Sequence, residues 1–411
     1  MLAEHLSRYL ARIRQTTPLP ARIVLWDGTE IPLGEPTPVT IRLRNRRAIT
    51  RLLKPRLDTI GDAYVSGAID IEGPLEEAIR VATSLAQTQT NANANRSQLG
   101  RLPAWARQHT RSADRQAISY HYDVSNAFYE QFLDEQMVYS CAYYAHDGMN
   151  LKAAQQAKLD LICRKLRLSS DHHLLDIGCG WGAMAIYAAQ HYGARVTGVT
   201  LSENQLELAT RRVHDAGLND RIELRLQDYR DIPETDYFDR IVSIGMFEHV
   251  GLKHLAEYFL KIMHMAKPGA IVMNHGITAA DPDSAATPNG AGEFIGKYVF
   301  PNGELPHVSL AIKELSRSGL ELVDAESLRR HYGKTLWAWS DRFEQALPQL
   351  QQLANDQTVR IWRAYLAGCA YAFDNGWINI YQLLAAKPVA GDSQQQIMQP
   401  MTRDYIYRNP N

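Results

Sequence analysis

Two residues with acid–base side chains stand where two predicted strands end. Glu248 follows one apolar run, and His275 closes the next apolar run along the chain. In open α/β sheets the carboxyl ends of the strands line the ligand crevice. A carboxylate and an imidazole at that edge predict a proton-transfer site. Capping and packing are the alternative roles for both residues.

A glycine-rich turn, LLDIGCGWG over residues 174–182, joins an apolar strand to a helix. Gly178, Gly180 and Gly182 allow a tight turn and a close approach of a ligand to the backbone. The turn lacks both the G-x-G-x-x-G spacing and a phosphate-binding lysine. With Asp176 on the strand, it favours an adenosine ligand with a sulfonium tail over NAD. A tight turn with only a packing role is the alternative.

The elements that position these residues alternate strictly between helix and strand from about residue 158. Such alternation predicts an α/β fold with a doubly wound parallel sheet. The predicted helices are KLDLICRKL, AMAIYAAQHY, ENQLELATRRVHDAG and HLAEYFLKIMHMA. The predicted strands are HHLLDIGCG, ARVTGVTL, RIELRLQDY, FDRIVSIGMF and GAIVMNHGI.

Nine segments resemble the S-adenosylmethionine-dependent cyclopropane and mycolic acid synthases, and they are distributed over essentially the whole of residues 118–380. The resemblance implies a Rossmann-like class I methyltransferase fold, and residues 1–110 resemble an extra domain found in part of that family. The segments are ISYHYDVSNAFY, MVYSCAYY, LLDIGCGWG, VTGVTLSENQ, SIGMFEHVG, MNHGIT, GEFIGKYVFPNGELP, LRRHYGKTLWAW and LAGCAYAFDNGWI.

This resemblance implies that S-adenosylmethionine is the co-substrate. Many methyltransferases end the second strand with an acidic residue that holds the ribose, whereas Thr200 stands there in this chain and in the family. The implied cofactor contacts are Tyr139, Ser140, Leu174, Asp176, Gly178, Cys179, Gly180, Trp181, Gly182, Thr200, Leu201, Gln205, Asp228 and Tyr229.

The implied reaction begins at a cis double bond, whose π electrons attack the sulfonium methyl. The resulting cation loses a methyl proton to close a ring, so the site needs positioning, a dry cation-tolerant pocket and a late base. The family implies bicarbonate as that base. Its implied cage comprises Glu248, His275, Tyr332 and the backbones of Cys141 and Ile277.

Cysteines and aromatic residues complete the set of candidate site residues. Cys369 occupies a position that resembles an active-site cysteine of the family, but no step needs a thiolate, so packing is the favoured role. Four cysteines without a C-x-x-C pair predict neither a disulfide framework nor a metal site. Some rings of residues 118–144 are expected around the cation, because π faces stabilise positive charge. These rings are Tyr120, Tyr122, Phe128, Tyr129, Phe132, Tyr139, Tyr143 and Tyr144.

The front of the chain is basic. Residues 1–115 hold 17 Lys and Arg against 11 Asp and Glu, although the whole chain has a net charge of −1. Residues 2–14 predict an amphipathic helix, Asp27-Gly28 predicts a hairpin, and residues 42–56 carry seven basic residues and no acid. The sequence predicts a small α+β domain over 1–90, a basic polar linker over 91–117, a catalytic domain over 118–390 and a tail over 391–411.

A basic front end predicts attraction to a polyanion, either a membrane surface or a nucleic acid. With the family resemblance, we expect a phospholipid bilayer with unsaturated acyl chains as partner, and no nucleic acid. The helix of residues 2–14 either lies on that membrane or docks on its own domain. No apolar stretch approaches ~20 residues, and the N-terminus lacks a signal-peptide core, which predicts a cytoplasmic, peripherally membrane-bound protein. The resemblance also suggests a homodimer.

Taken together, the motifs predict a methylene transferase that converts cis-unsaturated acyl chains of membrane phospholipids into cyclopropane chains. A related enzyme that leaves a methyl branch is the first alternative, because motifs do not fix the fate of the cation. A non-enzymatic lipid- or nucleic-acid-binding protein is the second. The glycine turn, Glu248 and His275 count against that second alternative.

Overall fold

The computed structural model describes residues 2–46, 48–53, 55–90, 124–284, 287–301, 303–390, 395–396 and 399–407. The predicted linker 91–117 lies outside the described residues, as do Arg47, Lys54, Tyr120 and Tyr122. The domain boundaries therefore stay predictions. No helix of the described residues is both long and apolar enough to cross a membrane.

The described helices form two groups along the chain, and each group accompanies one of the two larger sheets. The first group precedes residue 91 and the second follows residue 123. In chain order they are α1 (Leu2–Thr16), α2 (Ala48–Leu53), α3 (Leu57–Val65), α4 (Leu75–Thr90), α5 (Asn126–Glu130), α6 (Leu151–Lys165), α7 (Ala183–Tyr192), α8 (Glu203–Asp215), α9 (Leu255–Met265), α10 (Ala291–Tyr298), α11 (Val308–Arg317), α12 (Arg329–Gln345), α13 (Leu347–Leu353), α14 (Asp356–Asp374) and α15 (Asp404–Tyr407).

A four-stranded sheet organises the N-terminal part in the order β2-β1-β3-β4. Its strands are β1 (Ala21–Val24), β2 (Glu30–Pro32), β3 (Val39–Leu43) and β4 (Ile69–Glu72). β1 and β2 pair antiparallel, which confirms the predicted hairpin. Gly28 lies in its turn with φ +87°, in the left-handed region that glycine favours.

The amphipathic helix α1 docks on its own domain. Leu6, Leu10 and Ile13 are buried in the core that α1 shares with the small sheet, while Arg12 and Arg14 are exposed. The apolar stripe that an interfacial helix would insert into a membrane is therefore used inside the protein. Of the two alternatives for this helix, self-docking is confirmed.

Part of the basic run on β3 is neutralised within the sheet. The Arg42 guanidinium donates to both carboxylate oxygens of Glu72, and Arg44 pairs with Asp70 on β4. Arg360 of α14 also reaches this strand and donates to Asp70 Oδ1 at 2.7 Å. The acidic partners of Arg42 and Arg44 lie on β4, 30 and 26 residues further along the chain, so the basic run of the sequence shows no acid of its own.

The second sheet has the order β10-β11-β9-β8-β5-β6-β7. Pairing is parallel among β5 to β9, and the predicted class I fold is confirmed. β11 pairs antiparallel with both of its neighbours. The strands are β5 (His173–Ile177), β6 (Arg195–Thr200), β7 (Ile222–Leu226), β8 (Phe238–Ile244), β9 (Ala266–Ala279), β10 (Glu321–Ser327) and β11 (Ile378–Ala386), with a separate short pair formed by β12 (Val389–Ala390) and β13 (Gln395–Gln396).

The reversed strand departs from the all-parallel sheet that the alternation predicts. β10 ends at the carboxyl edge of the sheet, and the helices α12, α13 and α14 follow it directly. The chain then re-enters the sheet from that same edge, so β11 must run backwards. As a result, β11 places Gln382 directly opposite His275 on β9.

Both faces of this sheet are covered. Leu174 and Met273 pack with α6 and α7 on one face, and Leu175 and Val272 pack with α9 on the other. Burial on both faces explains why these strands are continuous apolar runs rather than alternating ones.

Candidate active site

A cleft with about 1200 Å³ of empty space, including its mouth, lies at the carboxyl ends of β5, β6 and β8. The sequence-predicted cofactor residues converge there from segments far apart in the chain. Those that line it are Tyr139, Ser140, Asp176, Gly178, Cys179, Gly180, Trp181, Thr200, Leu201, Gln205, Asp228 and Tyr229. Leu174 and Gly182 are placed elsewhere.

Leu174 and Gly182 are the two ends of the glycine-rich segment 174–182, and neither lines the cleft. Leu174 lies on β5 and is fully buried in the core, and Gly182 starts α7 with φ +82°. Gly178 has φ +77°, and its amide donates to the Val199 carbonyl at 2.9 Å. A Cβ at position 178 would come within 2.7 Å of Met246, another residue that lines the cleft. The backbone here forms a cradle that only glycine leaves open.

Two polar pairs shape the rest of the cleft wall. Thr200 donates through Oγ1 to Gln205 Oε1 at 3.0 Å, which fixes the amide of Gln205. Arg230 donates to the Asp228 carboxylate from Nε at 2.9 Å and from Nη2 at 2.6 Å. The cleft thus offers neutral donors and acceptors beside Thr200 and a neutralised carboxylate beside Tyr229.

Lys158 of α6 also lines the cleft, although it is not among the residues that the sequence predicts for the site. It is fully buried, and its Nζ donates to Ser140 Oγ at 2.9 Å. Burial lowers the pKa of its ammonium group to about 8, although Cys141, Asp134 and Asp176 oppose the shift. A signal existed: Lys158 lies seven residues, or two helical turns, after the buried Leu151 and therefore on the buried face.

Glu248 lies in the turn after β8 and is buried. Its Oε1 accepts a hydrogen bond from the Ile277 amide at 2.7 Å, and its Oε2 has no partner among the described residues. Burial raises the pKa of this carboxyl to about 7, against the opposing effect of the Ile277 amide. Glu248 can therefore change protonation state near neutral pH.

His275 lies two residues before Ile277 on β9, so the two side chains point to the same face. Its Nδ1 is 3.4 Å from the Gln382 amide nitrogen, and its Nε2 is buried without a partner among the described residues. Burial, followed by the charges of Lys158 and Lys165, holds the pKa of His275 well below its usual range. The imidazole is therefore neutral and has one nitrogen available.

Tyr332 of α12 is buried beside this group. Burial raises the pKa of its phenol well above the usual value, and Tyr365, Cys141, Glu248 and Cys369 add to the rise. Three of these neighbours, Cys141, Glu248 and Cys369, are residues that the sequence predicts for the site. Ile277 joins them through the bond to Glu248, but its amide is already used there, so its backbone is not open to an anion in this conformation.

Neither cysteine is a nucleophile in this environment. The Cys141 thiol is buried and donates to the Ala142 carbonyl at 3.2 Å, and burial raises its pKa. Burial raises the pKa of Cys369 to about 12, so this thiol stays protonated at neutral pH. Both are free cysteines, and Cys369 is the one that is partly exposed. The environment agrees with packing as the role of Cys369.

The aromatic rings divide into core and cleft. Phe128, Tyr129 and Phe132 have no exposed surface and pack against one another. Tyr139 lines the cleft, and its hydroxyl lies 3.0 Å from that of Tyr365. Of the rings predicted around the cation, Tyr139 is the one among the described residues that lines the cleft, whereas Tyr143 and Tyr144 do not line it.

The chain is similar to known proteins over most of its length. Residues 109–383 match the family described as mycolic acid cyclopropane synthetase, and residues 9–94 match a domain of unknown function. The chain is 48% identical over 394 residues to a probable fatty acid methyltransferase of Pseudomonas putida, covering 96% of this chain and 98% of that protein. It is 41% identical over 269 residues to cyclopropane-fatty-acyl-phospholipid synthase of Escherichia coli strain K12, covering 66% and 67%.

A solved structure supports the same conclusion. Mycolic acid cyclopropane synthase CmaA1 complexed with SAH and CTAB matches with a TM-score of 0.63 and 33% identity, over 66% of this chain and 98% of that chain. The fold and the cleft define a class I S-adenosylmethionine-dependent methyltransferase. The chain belongs to the mycolic acid cyclopropane synthetase family, a family of lipid-modifying enzymes.

Gly178→Val tests the cradle. The new side chain would strain a φ of +77° and meet Met246, so we expect at least a 100-fold loss of S-adenosylhomocysteine affinity in a folded protein. Isothermal titration calorimetry measures this loss. Gly217→Val is the matched control, because Gly217 has φ +68°, open space around its Cβ position and no part in the cleft. Equal affinities in the two variants would refute the cradle.

Proposed function

We propose that the protein transfers a methylene group from S-adenosylmethionine to the cis double bond of unsaturated acyl chains in membrane phospholipids, which gives cyclopropane chains. One observation carries the proposal: Glu248 and His275 are buried next to the cofactor cleft, and each has one polar atom without a partner in the described part of the chain. Removal of a proton from a carbon that is buried away from water needs a base site of this kind.

The residues of the cleft serve positioning and exclusion of water. S-adenosylmethionine supplies an electrophilic methyl group on a sulfonium. The glycine cradle and the Thr200–Gln205 pair orient the adenosine part, while the ring of Tyr139 offers a π face to positive charge. The surrounding aromatic core keeps water away, so the cation is not quenched by hydroxide or solvent.

Bicarbonate is the proposed base, and the residues present fit it in part. Tyr332 and the neutral His275 can donate hydrogen bonds, and Glu248 can accept one through its free Oε2. Bound there, bicarbonate would accept a proton. The Cys141 backbone completes the proposed cage, whereas the Ile277 amide contributes indirectly by orienting Glu248.

A methyl-branched product is the second candidate function. It is favoured by the 48% identity to a probable fatty acid methyltransferase over nearly the whole chain. A chain identified as tuberculostearic acid methyltransferase UfaA1, from Mycobacterium tuberculosis, is 34% identical over 385 residues. Both products need the same methyl transfer. Loss of a proton from the new methyl group with ring closure gives the cyclopropane, whereas loss of a proton without ring closure gives an unsaturated branched chain, and a saturated methyl branch needs a hydride donor in addition.

We further propose that the protein acts at a membrane surface, from the cytoplasmic side and as a homodimer. An acyl chain that crossed water would cost ~0.8 kcal/mol for each exposed methylene, so the cleft must meet the bilayer. The basic front end offers two surfaces for this contact, the run of residues 42–56 and the polar face of α1. Arg42 and Arg44 are paired with acids, whereas Arg12 and Arg14 on α1 are exposed.

Lipid mass spectrometry distinguishes the two products. After expression in a host without such chains, we expect each modified lipid to gain one CH2 group while its rings plus double bonds stay equal in number. Ozonolysis should leave the product intact, because a ring has no double bond to cleave. A saturated methyl branch, or a methylene that ozone cleaves, would contradict ring formation and support the second candidate.

Variants at Glu248 and His275 test the base site. We expect Glu248→Gln and His275→Ala to lower turnover at least 100-fold while S-adenosylhomocysteine affinity changes less than about threefold, since both residues lie outside the cofactor cleft. Wild-type turnover should fall about tenfold per pH unit below pH 7, as the carboxyl of pKa about 7 takes up a proton.

Exposed residues of α9 supply the controls for these variants: Glu257→Gln and His264→Ala should keep wild-type turnover. Wild-type activity should also fall in bicarbonate-depleted buffer and recover when bicarbonate is added. Unchanged activity after depletion would reject bicarbonate as the base. Turnover in Glu248→Gln close to that of the wild type would reject the base site itself.

Charge reversal tests the membrane surface. Arg12→Glu with Arg14→Glu should weaken sedimentation with anionic phosphatidylglycerol vesicles at least tenfold at low salt, because each basic residue near such a surface contributes ~1 kcal/mol. The difference should shrink as salt is added. The control is the same charge change at Arg195 and Arg211, which are exposed on the catalytic part. Equal binding by both double variants would place the contact on another surface.

A further inference from the structure

Lys158 is a buried cation without a counter-ion in contact. It is 1% exposed, and its hydrogen bond goes to the neutral hydroxyl of Ser140. Among the described residues, no carboxylate lies within ion-pair distance of its Nζ, whereas the other fully buried lysine of α6, Lys165, pairs with Glu326. A buried charge normally has a partner, because desolvation without one is costly.

Asp176 shows the opposite charge in the same cleft. It is 1% exposed at the end of β5, and its Oδ2 has no partner among the described residues. Burial raises the pKa of this carboxyl to about 7, although Lys158 opposes the rise. The two groups influence each other electrostatically but are not in contact, and both line the cleft. A gap bounded by a cation and an anion matches a zwitterion.

We propose that Lys158 binds the α-carboxylate of the methionine part of S-adenosylmethionine, with Asp176 facing its α-ammonium group. The inference rests on the cofactor proposed above. That cofactor has no phosphate, so its carboxylate is its only anionic group. The sulfonium and the ammonium are both repelled by a lysine, which leaves one orientation of the ligand.

The hydrogen bond to Ser140 supports this orientation. Lys158 donates to Ser140 Oγ, which leaves the hydroxyl hydrogen of Ser140 to donate into the cleft. Two donors side by side suit the two oxygens of a carboxylate. The bond is not needed to hold the backbone of Ser140, because the Gln155 amide already donates to the Ser140 carbonyl at 2.9 Å.

Two probes separate this role from a structural one. S-adenosylhomocysteine carries the amino-acid end, and 5′-methylthioadenosine lacks it. We expect Lys158→Met to lower the affinity for S-adenosylhomocysteine about 10- to 100-fold and the affinity for 5′-methylthioadenosine less than threefold, as measured by calorimetry. Lys158→Arg should recover part of the loss. Lys152→Met, an exposed lysine on the same helix, should change neither affinity.

A measurement on the wild type covers the case in which Lys158→Met does not fold. The groups that face Lys158 are Asp134, Cys141, Asp176 and His275. Between pH 7 and 9 the ammonium of pKa about 8 loses its proton, so the affinity for S-adenosylhomocysteine should fall about tenfold. The affinity for 5′-methylthioadenosine should stay constant. Lys158→Arg should flatten the first profile.

The outcomes are distinct. Equal losses for both probes in a folded Lys158→Met, or equal pH profiles for both in the wild type, would overturn the carboxylate role. A wild type that binds neither probe would instead reject the cofactor, and with it the proposed function. Loss confined to the probe with the amino-acid end supports the inference, whatever the lipid product.

Discussion

The structure depends on a row of buried ionisable groups that the protein leaves without full pairing. Lys158, Asp176, Glu248 and His275 are each at least nine-tenths buried, and three of them carry a polar atom without a partner in the described residues. Such groups destabilise a fold unless a ligand completes their hydrogen bonds. Their apolar surroundings set the pKa values of Asp176, Lys158 and Glu248 to about 7, 8 and 7, where small changes alter charge.

The sheet explains why these groups meet. Parallel strands β5 and β8 end at the same edge, which brings the glycine turn beside the turn that carries Glu248. β9 extends past that edge and carries His275 and Ile277, and the reversed strand β11 supplies Gln382 opposite His275. α6 then crosses one face of the sheet and places Lys158 between the two sites. Cofactor binding and proton transfer are thus served by different elements. The charge of Lys158 interacts with Asp176 of the first site and with His275 of the second.

Local patterns were sufficient to predict the sheet, the glycine cradle and the strand-end positions of Glu248 and His275. Contacts between distant segments were not predictable from them. The charges of Arg42 and Arg44 counted as a basic surface in the sequence, but their partners Glu72 and Asp70 become neighbours only when β4 pairs with β3. Gln382 gave no signal, because its role arises from register across β9 and β11. The helical spacing places Lys158 on the buried face of α6, but a lysine is ordinarily expected on the solvent-exposed face.

The number of protons exchanged on ligand binding tests most directly whether Lys158 and Asp176 bind a zwitterion. Calorimetry of S-adenosylhomocysteine binding at pH 8, in buffers of different ionisation enthalpy, gives the number of protons taken up. A carboxylate placed on Lys158 raises the pKa of its ammonium, so the complex should take up as much as about half a proton. Asp176 is already mostly ionised at that pH and should offset little of this uptake. No exchange, or a net release of protons, would contradict the account.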